Sequence, residues 1–126
     1  MSRDAINTTE APAAIGPYSQ AIRHNDTLYI SGQIPLDPTS GELVSNEIEA
    51  QIKQVFTNLA AVAKAADTSL ANALKVTVYL TDLRHFALVN DSMANFFTQP
   101  YPARAAIEVS ALPKGAAVEA DAIIAA

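Results

Sequence analysis

Two stretches of the chain carry apolar residues at helical spacing. In the first stretch the steps are three and four residues long, through Ile48, Ile52, Val55, Leu59, Val62 and Ala66. This spacing predicts one long amphipathic helix, capped by Asn46 with Glu49, with Gln51, Lys53, Gln54, Asn58 and Lys64 mainly on its solvent side. A second helix is predicted after Asp82, with Phe86, Val89, Met93, Phe96 and Phe97 on its buried side. Asn90 lies beside that stripe, and an asparagine in such a position is usually buried, with its amide bonded to backbone groups.

The other patterned segments alternate at the period of a strand. A strand is predicted to begin at Ile15–Ala21, and Thr27–Gly32 pairs with it as a hairpin after the turn at His24–Asp26. Further strands are predicted at Leu74–Leu80, Arg104–Val109 and Ala117–Ala125. Residues 1–15 are weakly patterned, which favours an extended arm laid over the domain.

The element order ββ-α-β-α-ββ predicts an α+β fold and a single domain spanning residues 1–126, with two helices on one face of a mixed β-sheet. No helix remains for the opposite face, to which we assign Thr77, Tyr79, Arg104, Ala106, Glu108, Ala117 and Glu119. That face is too small and mixed for a dry core, so it predicts a partner subunit. A closed ring of copies would place Arg104 and Glu119 at the seams between chains.

Composition narrows the functional classes. The chain has no cysteine, which excludes disulfides, thiol catalysis and cysteine-ligated metals, and His24 and His85 do not share a metal-site spacing. The formal net charge of −5, with basic residues scattered singly, argues against nucleic acid as a partner. Neither a signal peptide nor an apolar stretch long enough to span a bilayer is present in the sequence. We therefore expect a cytoplasmic protein without membrane association.

The segment Gln99–Val109 contains the most specific candidate chemistry. Pro100 and Pro102 hold the chain extended ahead of Arg104, which follows at the start of a strand beside small alanines. A guanidinium next to open space suits a carboxylate, which it binds through two parallel hydrogen bonds. The alternative is a surface ion pair, for example with Glu108. Similarly, Ser31-Gly32 indicates either close approach of a ligand or another chain at a strand edge, or a strand that simply ends in a turn.

Four short motifs, taken together and in order, resemble the YjgF/RidA family of reactive-imine deaminases. They are Ile15-Gly16-Pro17-Tyr18, Ser31-Gly32-Gln33-Ile34-Pro35, Pro102-Ala103-Arg104 and Val118-Glu119, with Val89-Asn90 between them. The resemblance covers about residues 5–125. It implies a chorismate-mutase-like fold of the bacillar type, a homotrimer with clefts between subunits, and no cofactor. The implied reaction is hydrolysis of 2-iminopropanoate, 2-iminobutanoate and similar imines to 2-oxo acids and ammonia.

The resemblance also implies roles for individual residues. Arg104 falls on the carboxylate-binding arginine and Glu119 on the acid/base glutamate. The substrate-binding positions fall on Tyr18, Ser31, Gly32 and Asn90, together with Ala106. Many relatives have cysteine where this chain has Ala106, so a thiol is not required here. The strand backbone at that position still offers its carbonyl and amide groups to the pocket. This departure leaves the substrate range open.

The chemistry of these residues agrees with the implied reaction. Arg104 can fix the carboxylate of a 2-imino acid, and Glu119 can take the proton of an attacking water. Three alternatives remain open: a small-carboxylate-binding or stress-related protein without turnover, a chorismate-mutase-type isomerase, and RNA cleavage. A mutase acting on a dicarboxylate should need more than one well-placed cation, and RNA cleavage should need a basic surface.

Overall fold

We describe the fold from a computed structural model, in which residues 2–126 are placed. The strands are β1 (Asp4–Ile6), β2 (Ala21–His24), β3 (Thr27–Gln33), β4 (Ala73–Leu80), β5 (Ala103–Glu108) and β6 (Val118–Ala125), and the helices are α1 (Ile48–Ala65) and α2 (Phe86–Phe96). Short 3-10 turns lie at Leu70–Asn72, Leu83–His85 and Pro113–Gly115. Among residues 2–126, no helix combines the length and the apolar character needed to cross a membrane.

The six strands form one sheet in the order β1-β2-β3-β6-β4-β5. Every neighbouring pair is antiparallel except β4 and β5, which run parallel and are joined through α2. This arrangement confirms the predicted α+β class and the mixed sheet. Within residues 2–126, β5 has a strand neighbour on one side only, so its outer backbone groups are free to meet a ligand or another chain.

The core lies between the sheet and the two helices, as the spacing predicts. In α1 the stripe from Ile52 to Val62 is buried, and Phe56 packs against Phe96 and Phe97 with ring centroids 5.7 and 5.6 Å away. Alternate residues of the sheet cover the same core: Leu28, Ile30, Val76, Val78, Leu80, Val118, Ala120, Ala122 and Ile124. Burial of these side chains accounts for most of the apolar stabilisation of the fold.

Two local predictions about the first half of the chain are wrong. The first strand of the hairpin begins at Ala21 rather than at Ile15, because the chain bends at Gly16 and Pro17, where the Tyr18 amide donates to the Gly16 carbonyl at 2.9 Å. The capping box of Asn46 with Glu49 is also absent. The N-cap of α1 is Glu47, whose side chain makes no cap bond, and the Ser45 hydroxyl accepts the Glu47 amide at 2.9 Å instead.

Gln51 and Asn58 are buried rather than on the solvent side of α1, at 3% and 0% exposure. Their side-chain amides form hydrogen bonds with backbone groups of loops that have no backbone partner. Gln51 donates to Ser45 O and accepts the Ala117 amide, while Asn58 donates to Ile34 O and Leu36 O. A buried polar group with satisfied hydrogen bonds stabilises a fold, so these positions join loops to α1.

The prediction that Arg104, Ala106 and Glu108 lie on the open face of the sheet is wrong, and this is the main correction. Arg104 pairs with Val76 and Ala106 with Val78, and both valines are buried under the helices. Paired residues on adjacent strands point to the same face, so the Arg104 side chain lies on the helix side of the sheet. The open face carries Thr77, Tyr79, Glu119, Asp121 and Ile123, since these alternate with buried residues of β4 and β6.

Candidate functional site

The Arg104 side chain rests against one face of α2. Its Nη1 donates to Asn90 Oδ1 and lies 3.8 Å from Met93 Sδ, while its Cζ lies 4.6 Å from the centre of the Phe86 ring. These three helix residues are spaced by four and three positions, so they fall on the same side of α2. Asn90 is therefore an exposed partner of Arg104 and not the buried backbone-bonding amide of its ordinary interpretation.

The guanidinium of Arg104 has no carboxylate partner within residues 2–126. Arg104 does not form the surface ion pair with Glu108, and Glu108 Oε1 accepts the Leu83 amide at 3.0 Å. A cleft of about 420 Å³ opens beside Arg104 and is also lined by Asn90, Met93, Ala94, Tyr101 and Pro102. A neighbouring hollow is lined by Arg104 and Ala106 together with Leu83 and Phe86. We call this region, centred on Arg104, Asn90 and Ala106, the arginine half-site.

Glu119 lies in a second cavity, of about 540 Å³, which is also lined by Tyr18, Ser31, Gly32 and Lys114. An irregularity in the pairing of β3 with β6, between Ile30 and Gln33, brings Ser31 and Gly32 beside Glu119. A β-carbon added to Gly32 would overlap the Glu119 carboxylate and lie 3.0 Å from its Cδ. Glycine at position 32 therefore makes room for the carboxylate. We call this region the glutamate half-site.

The environment of Glu119 favours its protonated form. Partial burial raises the pKa of the carboxyl group above its ordinary value, and the negative charge of Asp121 raises it further. Asp121 Oδ2 accepts the Tyr79 hydroxyl at 3.0 Å, and Tyr79 pairs with Glu119 across β4 and β6. A carboxyl group with a raised pKa can both accept and return a proton closer to neutral pH.

Buried or partly buried side chains fix the loops around the glutamate half-site. Gln20 exchanges hydrogen bonds with Thr8 and donates to Pro12 O at 2.8 Å, which holds the N-terminal arm. The Ser31 hydroxyl donates to Ser19 O at 2.6 Å, which holds the bend that carries Tyr18. Together with the bond from the Ala117 amide, just before β6, to Gln51 on α1, these bonds give the cavity a fixed shape before any ligand enters.

The two half-sites do not meet within one chain. Arg104 lies on the helix side of β5, whereas Glu119 lies on the open face of β6, with β4 between the two strands. Two strand spacings of about 4.8 Å and three residues of about 3.4 Å put their Cα atoms roughly 14 Å apart. The structure therefore brings Tyr18, Ser31, Gly32 and Glu119 together, and separately Asn90, Arg104 and Ala106.

The family model described as "Endoribonuclease L-PSP" matches residues 8–126, nearly the whole chain. The chain belongs to the YjgF/RidA family. A RutC family protein of Sinorhizobium fredii is 52% identical over 96% of each chain. The bovine protein named 2-iminobutanoate/2-iminopropanoate deaminase is 49% identical over 98% of this chain and 90% of its own. The crystal structure of RidA from the Antarctic bacterium Psychrobacter matches with a TM-score of 0.94 and 46% identity, over 98% of this chain and 99% of that one.

Some residues of this YjgF/RidA chain contact the half-sites without being predicted to do so. Phe86 and Met93 are predicted as core residues, and Lys114 is assigned no role from the sequence, yet all three line a half-site. A usable signal for the first two is that Phe86, Asn90 and Met93 share one helix face with a polar residue in the middle. Lys114 gives no such signal, because its position depends on a left-handed backbone conformation and a bond from its Nζ to Gly41 O.

Proposed function

We propose that the chain hydrolyses reactive 2-imino acids, such as 2-iminopropanoate and 2-iminobutanoate, to 2-oxo acids and ammonia. The observation that carries this proposal is the unpaired guanidinium of Arg104, held by α2 at the mouth of a cleft. A cation without a carboxylate partner among residues 2–126 suits a ligand that supplies one. The deaminase name of the bovine relative supports the same substrate class.

The catalytic site would be completed between subunits of a homotrimer. Because Arg104 and Glu119 lie on opposite faces of the sheet, a small substrate cannot reach both in one chain. The exposed apolar residues Tyr29 and Ile107 lie on the open face, where a neighbouring chain would cover them. We expect the arginine half-site of one subunit to face the glutamate half-site of the next.

The reaction follows from the groups in the two half-sites. Arg104 binds the substrate carboxylate, which fixes the position of the adjacent imine carbon. Water adds to that carbon while the Glu119 carboxylate takes one of its protons. The protonated Glu119 gives this proton to the nitrogen, which leaves a neutral carbinolamine. Glu119 then takes the hydroxyl proton and passes it to the same nitrogen, so that the carbon–nitrogen bond breaks and ammonia leaves as the carbonyl forms. No group beyond these residues and water is required for the balance of atoms.

The test is hydrolysis of imine generated in the cuvette, for example by an amino-acid oxidase acting on alanine. The proposal predicts ammonia release well above the spontaneous rate, and loss of most of this acceleration in Glu119→Gln, which keeps the shape of the side chain. Glu49→Gln is a matched control, because Glu49 is an exposed carboxylate on α1. Binding of 2-oxobutanoate without any acceleration would instead indicate a carboxylate-binding protein.

The family model's description also names an endoribonuclease, so RNA belongs in the same test. The formal net charge of −5 argues against tight binding of phosphate backbones. We expect no cleavage of single-stranded RNA by the preparation that hydrolyses imine. RNA cleavage that persists through purification and disappears in Glu119→Gln would contradict the proposed function.

A further inference from the structure

The contacts of Arg104 use one end of its guanidinium and its central carbon. Nη1 is directed at Asn90 Oδ1 and Met93 Sδ, and Cζ lies over the face of the Phe86 ring, 4.6 Å from its centre. A guanidinium has five N–H groups, of which Nη1 carries two. Within residues 2–126, Nε and Nη2 have no hydrogen-bond partner. The edge formed by Nε and Nη2 is therefore the one available to a ligand.

We propose that Phe86 is a positioning residue that holds the Arg104 guanidinium with its Nε–Nη2 edge toward the substrate carboxylate. This inference depends on the proposed role of Arg104 as the carboxylate site. Asn90 alone fixes one nitrogen, and the guanidinium could still turn about that bond. The aromatic ring restricts this freedom, because the cation is attracted to the face of the ring and Cζ lies over that face.

The position of the ring is in turn tied to the strand that carries Arg104. Glu108, on β5 with Arg104, accepts the Leu83 amide at 3.0 Å, and Asp82 Oδ1 accepts the Arg84 amide at 2.9 Å. Both bonds fix the turn that immediately precedes Phe86. The ring and the guanidinium are thus anchored to the same strand, four residues apart, and their relative placement depends little on other parts of the fold.

The test compares Phe86→Leu with Phe96→Leu in the full chain. Both rings belong to α2, but Phe96 packs against Phe56, and the ring over which Arg104 lies is that of Phe86. The probe is 2-oxobutanoate, titrated by calorimetry, and the Arg104 Nε–Hε signal is followed by ¹⁵N NMR as a measure of guanidinium rotation. We expect Phe86→Leu to speed this rotation, raise the Kd about 2- to 30-fold and raise KM more than it lowers kcat.

Phe86→Tyr keeps an aromatic face and should restore the slow rotation and the affinity. If Phe86→Leu matches Phe96→Leu in rotation, Kd and KM, Phe86 has no positioning role and the inference is overturned. The proposed function fails separately, when Arg104→Ala binds 2-oxobutanoate as tightly as the unmodified protein. In that case the rotation of the ligand-free guanidinium still decides whether Phe86 holds it.

Discussion

Gly32→Ala separates the geometry of the glutamate half-site from the stability of the fold. Position 32 does not use a left-handed backbone conformation, so alanine fits the strand and should itself add about 0.5–1 kcal/mol over glycine. The new β-carbon overlaps the Glu119 carboxylate, which must rotate away. An off-rotamer side chain costs about 0.5–1.5 kcal/mol, so we expect the free energy of unfolding to change by less than about 1 kcal/mol.

Activity should respond far more strongly. A positioned acid or base contributes about 10²–10⁴-fold to a rate, and Gly32→Ala moves Glu119 without removing it. We therefore expect kcat/KM for imine hydrolysis to fall by at least about tenfold. The assay is ammonia release, with chemical denaturation measured on the same preparation.

Gly41→Ala is the matched control with the opposite pattern. Gly41 has a φ of +73° and no atom within 4 Å of an added β-carbon. Alanine there should cost about 1–2 kcal/mol of stability through backbone strain, and it keeps the carbonyl that accepts Lys114 Nζ, so the turnover of folded protein should be unchanged. Full activity in folded Gly32→Ala would refute the reasoning, because it would show that the observed placement of Glu119 is not needed.

Three further predictions concern the same half-sites. Arg104→Lys retains the charge but loses one of the two parallel hydrogen bonds that the planar guanidinium makes to a carboxylate, which is worth roughly 1.5–3 kcal/mol. We therefore expect kcat/KM to fall on the order of 10- to 150-fold. An unchanged value in folded protein would contradict the role of Arg104 as the carboxylate site. Asp121→Asn removes a negative charge that raises the pKa of Glu119, so the acidic limb of the curve of kcat/KM against pH should move to lower pH. A shift of this limb to higher pH, or no shift, would show that Asp121 does not act on Glu119. Ala106→Cys should change the rate by less than about tenfold, or roughly 1.4 kcal/mol of barrier, because only the strand backbone is expected to act there.

The periodic parts of the chain were predictable because burial imposes a period on the sequence. The apolar stripe of α1 and the alternation in β4 and β6 each match the buried residues of the structure. Polarity alone predicts that Gln51 and Asn58 are exposed, and this prediction is wrong. Both amides are buried because backbone groups of loops, which have no secondary-structure partners, need their hydrogen bonds.

The face occupied by Arg104 could not be obtained from alternation alone. A period of two shows that Arg104, Ala106 and Glu108 share a face, but it does not say which one. β5 contributes no residue to the core, so the polarity of its residues does not show which of its faces is covered by the helices. The parallel register with β4 decides the question, and that register is a long-range property. The position of Ser31 and Gly32 beside Glu119 could not be predicted for the same reason, since it depends on the irregular long-range pairing of β3 with β6.

The most direct test of the shared site is subunit complementation between Arg104→Ala and Glu119→Gln. Each variant alone should be nearly inactive. When the two are unfolded together in equal amounts and refolded, a site has Arg104 from one chain and Glu119 from its neighbour in about a quarter of cases, since half of the chains carry each residue. Mixed oligomers, verified by differently tagged chains, should therefore regain about a quarter of the unmodified activity. Verified mixed oligomers without any activity above that of the separate variants would contradict a site shared between subunits.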